Sequence, residues 1–172
     1  MVSPSTERQY WDSCLWICYL QNKVEEHERV AAIRDLLRMA EAGRLHIVTS
    51  ALAIAEVRPY AEQYSMDYSH VVEDLFATNR QYFSVVSVTR AVSMLARTVG
   101  EQNRQMSVAD SIHVATALRS NVTGLFTLDG VRVQGMRRAG DLTSYDGKIG
   151  TPPLKISEPR VSMGPLFEPP EP

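Results

Sequence analysis

At 172 residues, 44% hydrophobic and 22% charged, the chain has the size and composition of one ordinary globular domain with a core of its own. A net charge of −2 argues against binding nucleic acid through bulk positive potential, though not through a local cationic rim around an acidic centre. No apolar run approaches the ~20 residues that a membrane-spanning helix needs, and residues 1–10 lack the apolar stretch of a secretory signal, so the expectation is a cytoplasmic protein with no membrane role.

The first strand candidate covers residues 9–11, and a short helix follows over 13–20. Residues 26–42 put Val30, Ile33, Leu37 and Ala40 on one face of an amphipathic helix closed by Gly43. A strand over 46–49 leads to Ser50, which can N-cap a helix over 51–57 that Pro59 stops. A helix is expected over 67–77, then a β-branched and aromatic strand over 82–88. Thr89 can cap the next helix, with Val92, Leu95, Ala96 and Val99 inward. Ser107 can cap another, with Val108, Ile112, Ala115 and Leu118 inward. Residues 124–127 make a short strand and 154–156 a last one.

Strands alternating with helices mean βαβ units, an α/β fold with a parallel sheet covered on both faces. In such sheets the binding crevice lies at the carboxyl ends of the strands. Seven of the nine prolines lie between Pro152 and Pro172, so residues 1–158 read as one domain and 159–172 as an extended or disordered tail. Cys14 and Cys18, four apart on one helix face, suit small buried hydrophobes better than a disulfide. His27, His46, His70 and His113 lack the spacing of a zinc site. A metal, if one is used, would therefore be held by carboxylates.

Four carboxylates fall where the sheet rule points. Asp12 follows the first strand, Glu56 ends the helix after the second, Asp110 lies in the first turn of SVADSIHVATAL, and Asp129 closes GLFTLD. Three have structural readings of their own. Asp12 could cap the helix after it, Asp110 could complete a capping box with Ser107, and Asp129-Gly130 is a common turn dipeptide. Glu56 is different, because it sits among apolar neighbours at a helix C-terminus, where the macrodipole disfavours an anion by ~0.3–1 kcal/mol. It wants a cation.

Chemistry explains why such acids would gather. Mg2+ and Mn2+ are hard ions that prefer oxygen ligands. Without a metal, clustered carboxylates raise one another's pKa values, which disfavours a purely structural cluster. The segments WDSCLWICYL, VTSALAIAEV, ADSIHVATAL and LFTLDG, in this order, resemble the PIN-domain family, notably its VapC-like toxins, over roughly residues 8–158. The resemblance implies a three-layer fold with a parallel sheet of about five strands flanked by helices. It also implies a Mg2+- or Mn2+-dependent endoribonuclease, a hydrolase of RNA phosphodiester bonds, with a toxin role, an antitoxin partner and a homodimer as further expectations. Position by position, the family's acids fall on Asp12, Glu56, Asp110 and Asp129 as catalytic and metal-binding residues, with Ser13 and Thr127 as supporting hydroxyls. His113 belongs to the third motif and is expected to pack or hydrogen-bond. Trp11 and Cys14 make the first motif bulkier than the family's aliphatic–Asp–Thr–aliphatic pattern. Residues 131–150, with Arg132, Arg137, Arg138 and Asp141, depart from the family's usual ending.

Holding an RNA strand needs cations near the acids. Arg58, Arg104 and Arg132 are the candidates, with Arg137 and Arg138 beside the last, since a guanidinium fork can bind two phosphate oxygens. Tyr60, Tyr64 and Tyr68 share a helical spacing that suits stacking on bases or packing. The alternative function is a catalytically inactive PIN module that scaffolds RNA or protein. A phosphotransfer domain is disfavoured, because it needs paired acids after the first strand and a late lysine, and no lysine occurs between Lys23 and Lys148.

Overall fold

The structure, a computed structural model, describes residues 6–22, 24–58, 69–77, 80–129 and 141–160. In chain order the elements are β1 (Glu7–Trp11), α1 (Ser13–Gln21), α2 (His27–Glu41), β2 (Leu45–Ser50), α3 (Ala51–Glu56), α4 (Ser69–Leu75), β3 (Phe83–Val86), α5 (Arg90–Gln102), α6 (Val108–Arg119), β4 (Gly124–Phe126) and β5 (Ile156–Ser157). The strands form one sheet in the order β3-β2-β1-β4-β5, every pairing parallel. This is the α/β architecture that the alternation of elements predicts.

Alternate residues of the central strands face opposite layers, and both layers are apolar, as a doubly covered parallel sheet requires. Trp11 and Ile47 join Leu15 and Trp16 of α1 and Val30 and Ile33 of α2 on one side. Tyr10, Val48 and Leu125 join Val99 of α5 and Val114 and Ala117 of α6 on the other. The chain builds outward from β1 to β2 and β3, then returns to place β4 on the opposite side of β1. The switch point therefore lies between β1 and β4, and a crevice opens beyond their carboxyl ends. Trp11 pairs with Phe126 there, which puts Asp12 and the residues after Phe126 side by side.

Several local expectations hold in detail. Ser50, Thr89 and Ser107 cap α3, α5 and α6 through hydrogen bonds from Leu52, Val92 and Asp110 amides. Gly43, at φ +72°, ends α2 in the left-handed region that suits glycine. Of the expected inward stripe of α6, Ala115 is buried and Ile112 and Leu118 pack against the core, but Val108 is corrected. Val108 is 78% exposed, whereas Ser111, His113, Val114, Ala115, Thr116 and Ala117 are all buried. The reason is that α6 is wedged between the sheet and α5, with Ala115 packing beside Val92 and Ala96, so it buries two faces and a single-stripe rule misassigns it. The last strand also lies later than expected, at Ile156–Ser157, because the Leu154 amide is committed to the Ile149 carbonyl at 2.7 Å. Pro159, the first residue of the expected tail, is buried; residues 161–172 lie outside the described residues. Among the described residues no helix is long and apolar enough to cross a membrane.

Candidate active site

Asp12 leaves β1 in extended backbone and N-caps α1, its Oδ1 accepting the Ser13 amide at 2.7 Å. Its Oδ2 accepts the Thr127 hydroxyl at 2.8 Å and faces the Cys14 thiol at 3.2 Å. The same Thr127 oxygen accepts the Asp129 amide at 2.9 Å, so one hydroxyl just past β4 ties two of the acids into register. Cys14 is more than a hydrophobe, since its sulfur also accepts the Leu128 amide at 3.0 Å. Neither cysteine is in a disulfide. Burial, followed by the Asp12 charge, pushes the Cys14 thiol well above its ordinary pKa, so it stays protonated and can donate to Asp12. Capping and site-forming roles coincide in Asp12, and the two readings are not rivals.

The cation that Glu56 lacks in sequence comes from α6. His113, 1% exposed, places Nε2 at 2.7 Å from Glu56 Oε2 and 3.4 Å from Asp12 Oδ1. Its Nδ1 lies 2.7 Å from the Tyr10 hydroxyl. Burial alone would lower the pKa of His113, but the Glu56 hydrogen bond and the charges of Asp12, Glu56 and Asp110 outweigh it and raise the value. For Glu56, burial would raise the pKa, but the His113 hydrogen bond and charge, with help from Ser13, carry it below the ordinary range. The two shifts agree on an ion pair. His113 does hydrogen-bond, as expected, yet its position at the centre of the acids is not visible from its motif.

Asp110 faces its own cap. Its amide donates to Ser107 Oγ at 3.0 Å, and that hydroxyl donates to Asp110 Oδ2 at 2.6 Å. Burial and then the Asp12 charge raise its pKa, against the opposing pull of Ser107 and His113. Asp129 Oδ2 accepts the Leu142 amide at 3.1 Å. Its pKa is also raised, first by burial and then by the charges of Asp110, Asp141 and Asp12. Asp12, Glu56, Asp110 and Asp129 thus lie in one neighbourhood, with His113 between Glu56 and Asp12. Ser13 and Thr127 both touch Asp12.

As the side chains stand, no three His, Cys, Asp or Glu residues among those described converge closely enough to hold an ion. The donor set nonetheless suits a hard divalent cation. It offers carboxylate oxygens, and two of its acids carry pKa values raised first by burial and then by their neighbours' charges, costs that such a cation would relieve. Of the expected substrate arginines, Arg58 and Arg104 are not drawn into the cluster. Arg58 is exposed and donates to the Ala55 carbonyl at 3.1 Å, and Arg104 is exposed in the α5–α6 connection. Arg132, Arg137, Arg138, Tyr60, Tyr64 and Tyr68 lie outside the described residues. Sequence reasoning missed Tyr10 and Cys14; only their places, each two residues from Asp12, hinted at either.

The family model described as PIN domain matches residues 10–133, a span that contains all four acids. Among solved structures, the fold resembles Mycobacterium tuberculosis VapC20, described as a sarcin–ricin loop cleaving toxin. The two share 15% identity over 72% of this chain and 91% of that one, with a TM-score of 0.53. VapBC2 from Rickettsia felis, solved with a DNA fragment from its promoter, aligns at 14% identity over 70% of this chain and 86% of that one, with a TM-score of 0.49. No curated protein matches the sequence. At 15% identity, the likeness to VapC20 is one of fold.

Proposed function

The chain belongs to the PIN-domain family, and from that premise we propose that it is a Mg2+- or Mn2+-dependent endoribonuclease whose catalytic acids are Asp12, Glu56, Asp110 and Asp129. The observation that carries the reading is the convergence of acids at the carboxyl ends of β1 and β4, where Thr127 ties Asp12 to Asp129 and His113 reaches both Glu56 and Asp12. A divalent ion bound there would neutralise a phosphate oxygen and acidify the attacking water.

The chain's own residues prepare the rest. Ser13 and Thr127 hold Asp12 in one orientation through its two oxygens. His113 holds Glu56, and Tyr10 holds His113, so a carboxylate on a short helix is fixed by the buried core rather than left to swing. Ser107 fixes Asp110, and the Leu142 amide fixes Asp129. Preorganised acids of this kind lose little freedom when a cation and a phosphate arrive. Arg58, Arg104 and Arg132 are assigned the grip on the RNA backbone. The toxin description of VapC20 extends the proposal to a structured cellular RNA as substrate, an antitoxin as partner, a homodimer as assembly and the cytoplasm as location.

The test is cleavage of RNA by the purified chain with Mn2+, with Mg2+ and with chelator, beside Asp12→Asn. Cleavage that needs the ion and disappears in the variant supports the proposal. Cleavage that survives both chelator and Asp12→Asn overturns it, and no cleavage under any condition favours the non-catalytic scaffold.

A further inference from the structure

The amino ends of the strands carry a second constellation, at the far end of the sheet from the acids. Arg8 and His46 are register partners across β1 and β2, so their side chains stand beside each other on one face. Tyr82 precedes Phe83, the β3 partner of Ile47, and so lies at the level of His46. All three line an open cavity of about 340 Å³ that reaches from the end of α2 to the start of β3. Along β1, Arg8 is separated from Asp12 by about 13 Å of strand.

The cavity holds a cation without a counter-charge. Arg8 is half-buried, and its guanidinium forms no hydrogen bond or ion pair among the described residues. Glu41, the carboxylate that lines the cavity, is exposed and faces the Tyr82 hydroxyl at 3.5 Å, a group that Arg80 also reaches at 3.3 Å. His46 offers Arg8 no charge either. Its Nε2 lies 2.7 Å from Ser84 Oγ, and burial, then the Arg8 charge, lowers its pKa, so the ring is neutral at pH 7. A guanidinium held in a partly buried cavity favours an anion beside it, and its fork suits the paired oxygens of a phosphate. The volume falls at the lower end of small-molecule sites, about 300–1,000 Å³, and exceeds what a bare phosphate fills. Tyr82 supplies a ring on which a base can stack, and Gln81, also lining the cavity, carries an amide that suits a base edge. We propose that this cavity binds a nucleotide, with its phosphate on Arg8 and its base against Tyr82. The nucleotide is either free or one unit of an RNA strand, which presents the same chemistry. The site stands apart from the acids and does not depend on their metal.

The experiment uses the full chain in chelator, so that no metal takes part. Ribonucleoside monophosphates, the corresponding nucleosides and a short single-stranded RNA are titrated by calorimetry into wild type, Arg8→Gln and Tyr82→Leu. A monophosphate or the RNA should bind wild type, and Arg8→Gln should weaken that binding by about tenfold or more, the scale of a lost charge-assisted hydrogen bond. Tyr82→Leu should weaken it by about fivefold or more, as the loss of one stacked ring does, and it covers the case in which Arg8→Gln disturbs β1. The nucleosides, having no phosphate, should not distinguish Arg8→Gln from wild type. Binding of a monophosphate supports a free nucleotide as the ligand, and binding of the RNA alone supports a strand. A wild type that binds neither, or folded Arg8→Gln and Tyr82→Leu variants that bind as wild type does, would overturn the inference and leave the reading of the acids untouched.

Discussion

Replacing Asp110 by Asn separates a metal ligand from a helix cap. The Ser107 cap works through the Asp110 amide, which the substitution leaves in place, and the Asn carbonyl can still accept the 2.6 Å bond from the Ser107 hydroxyl. What disappears is one negative charge in the first turn of α6, favourable to the helix dipole by ~0.3–1 kcal/mol. The same change removes the burial cost of that charge and its repulsion with Asp12, the two effects that raise its pKa. The raised value means that these outweigh the stabilising ones for the ionised acid, by the usual linkage between a pKa shift and stability. Asp110→Asn should therefore match or exceed wild type in chelator at neutral pH, by up to ~1 kcal/mol, or about 2–4 °C in thermal midpoint for a chain of this size. Single-turnover RNA cleavage with Mn2+ should fall by at least about a hundredfold, on the scale of losing one preorganised electrostatic group. A midpoint several degrees below wild type in chelator would show that Asp110 is structural. Undiminished cleavage would remove it from the site.

The Glu56–His113 pair predicts a pH window. The contribution of His113, whose pKa is raised, is complete below its ordinary value of 6.5 and lost as pH rises through the folded value. That of Glu56, whose pKa is lowered, is present above its ordinary 4.5 and lost as pH falls through the folded value. In chelator, the stability difference between wild type and His113→Gln should therefore be largest from pH 4.5 to 6.5 and shrink toward alkaline pH; denaturant titrations giving a constant difference from about pH 5 to about pH 9 would refute the ion pair. Thr127→Val should strand the Asp129 amide and leave Asp12 Oδ2 with only the weak Cys14 thiol donor, costing about 1–3 kcal/mol in urea unfolding. A loss under about half a kcal/mol would mean that water replaces the hydroxyl at little cost.

The order of strands and helices, and with it the parallel sheet, was legible in the chain because local chemistry marks each boundary. Ser50, Thr89 and Ser107 cap the helices that follow them, and Gly43 ends α2. Since crossovers between parallel strands place all carboxyl ends on one side, four acids at the ends of such segments were bound to meet in one region. Pairing across that region was not legible. His113 and Glu56 are 57 residues apart, and no local pattern tells an imidazole that completes an ion pair from one that merely packs. The burial of α6 was legible only in part for a related reason, because amphipathic periodicity describes a helix covered on one side and α6 is covered on two. Local sequence determines which residues stand at the ends of the strands. Tertiary packing decides their neighbours and their charges, because those depend on distances through space that the order of residues does not encode.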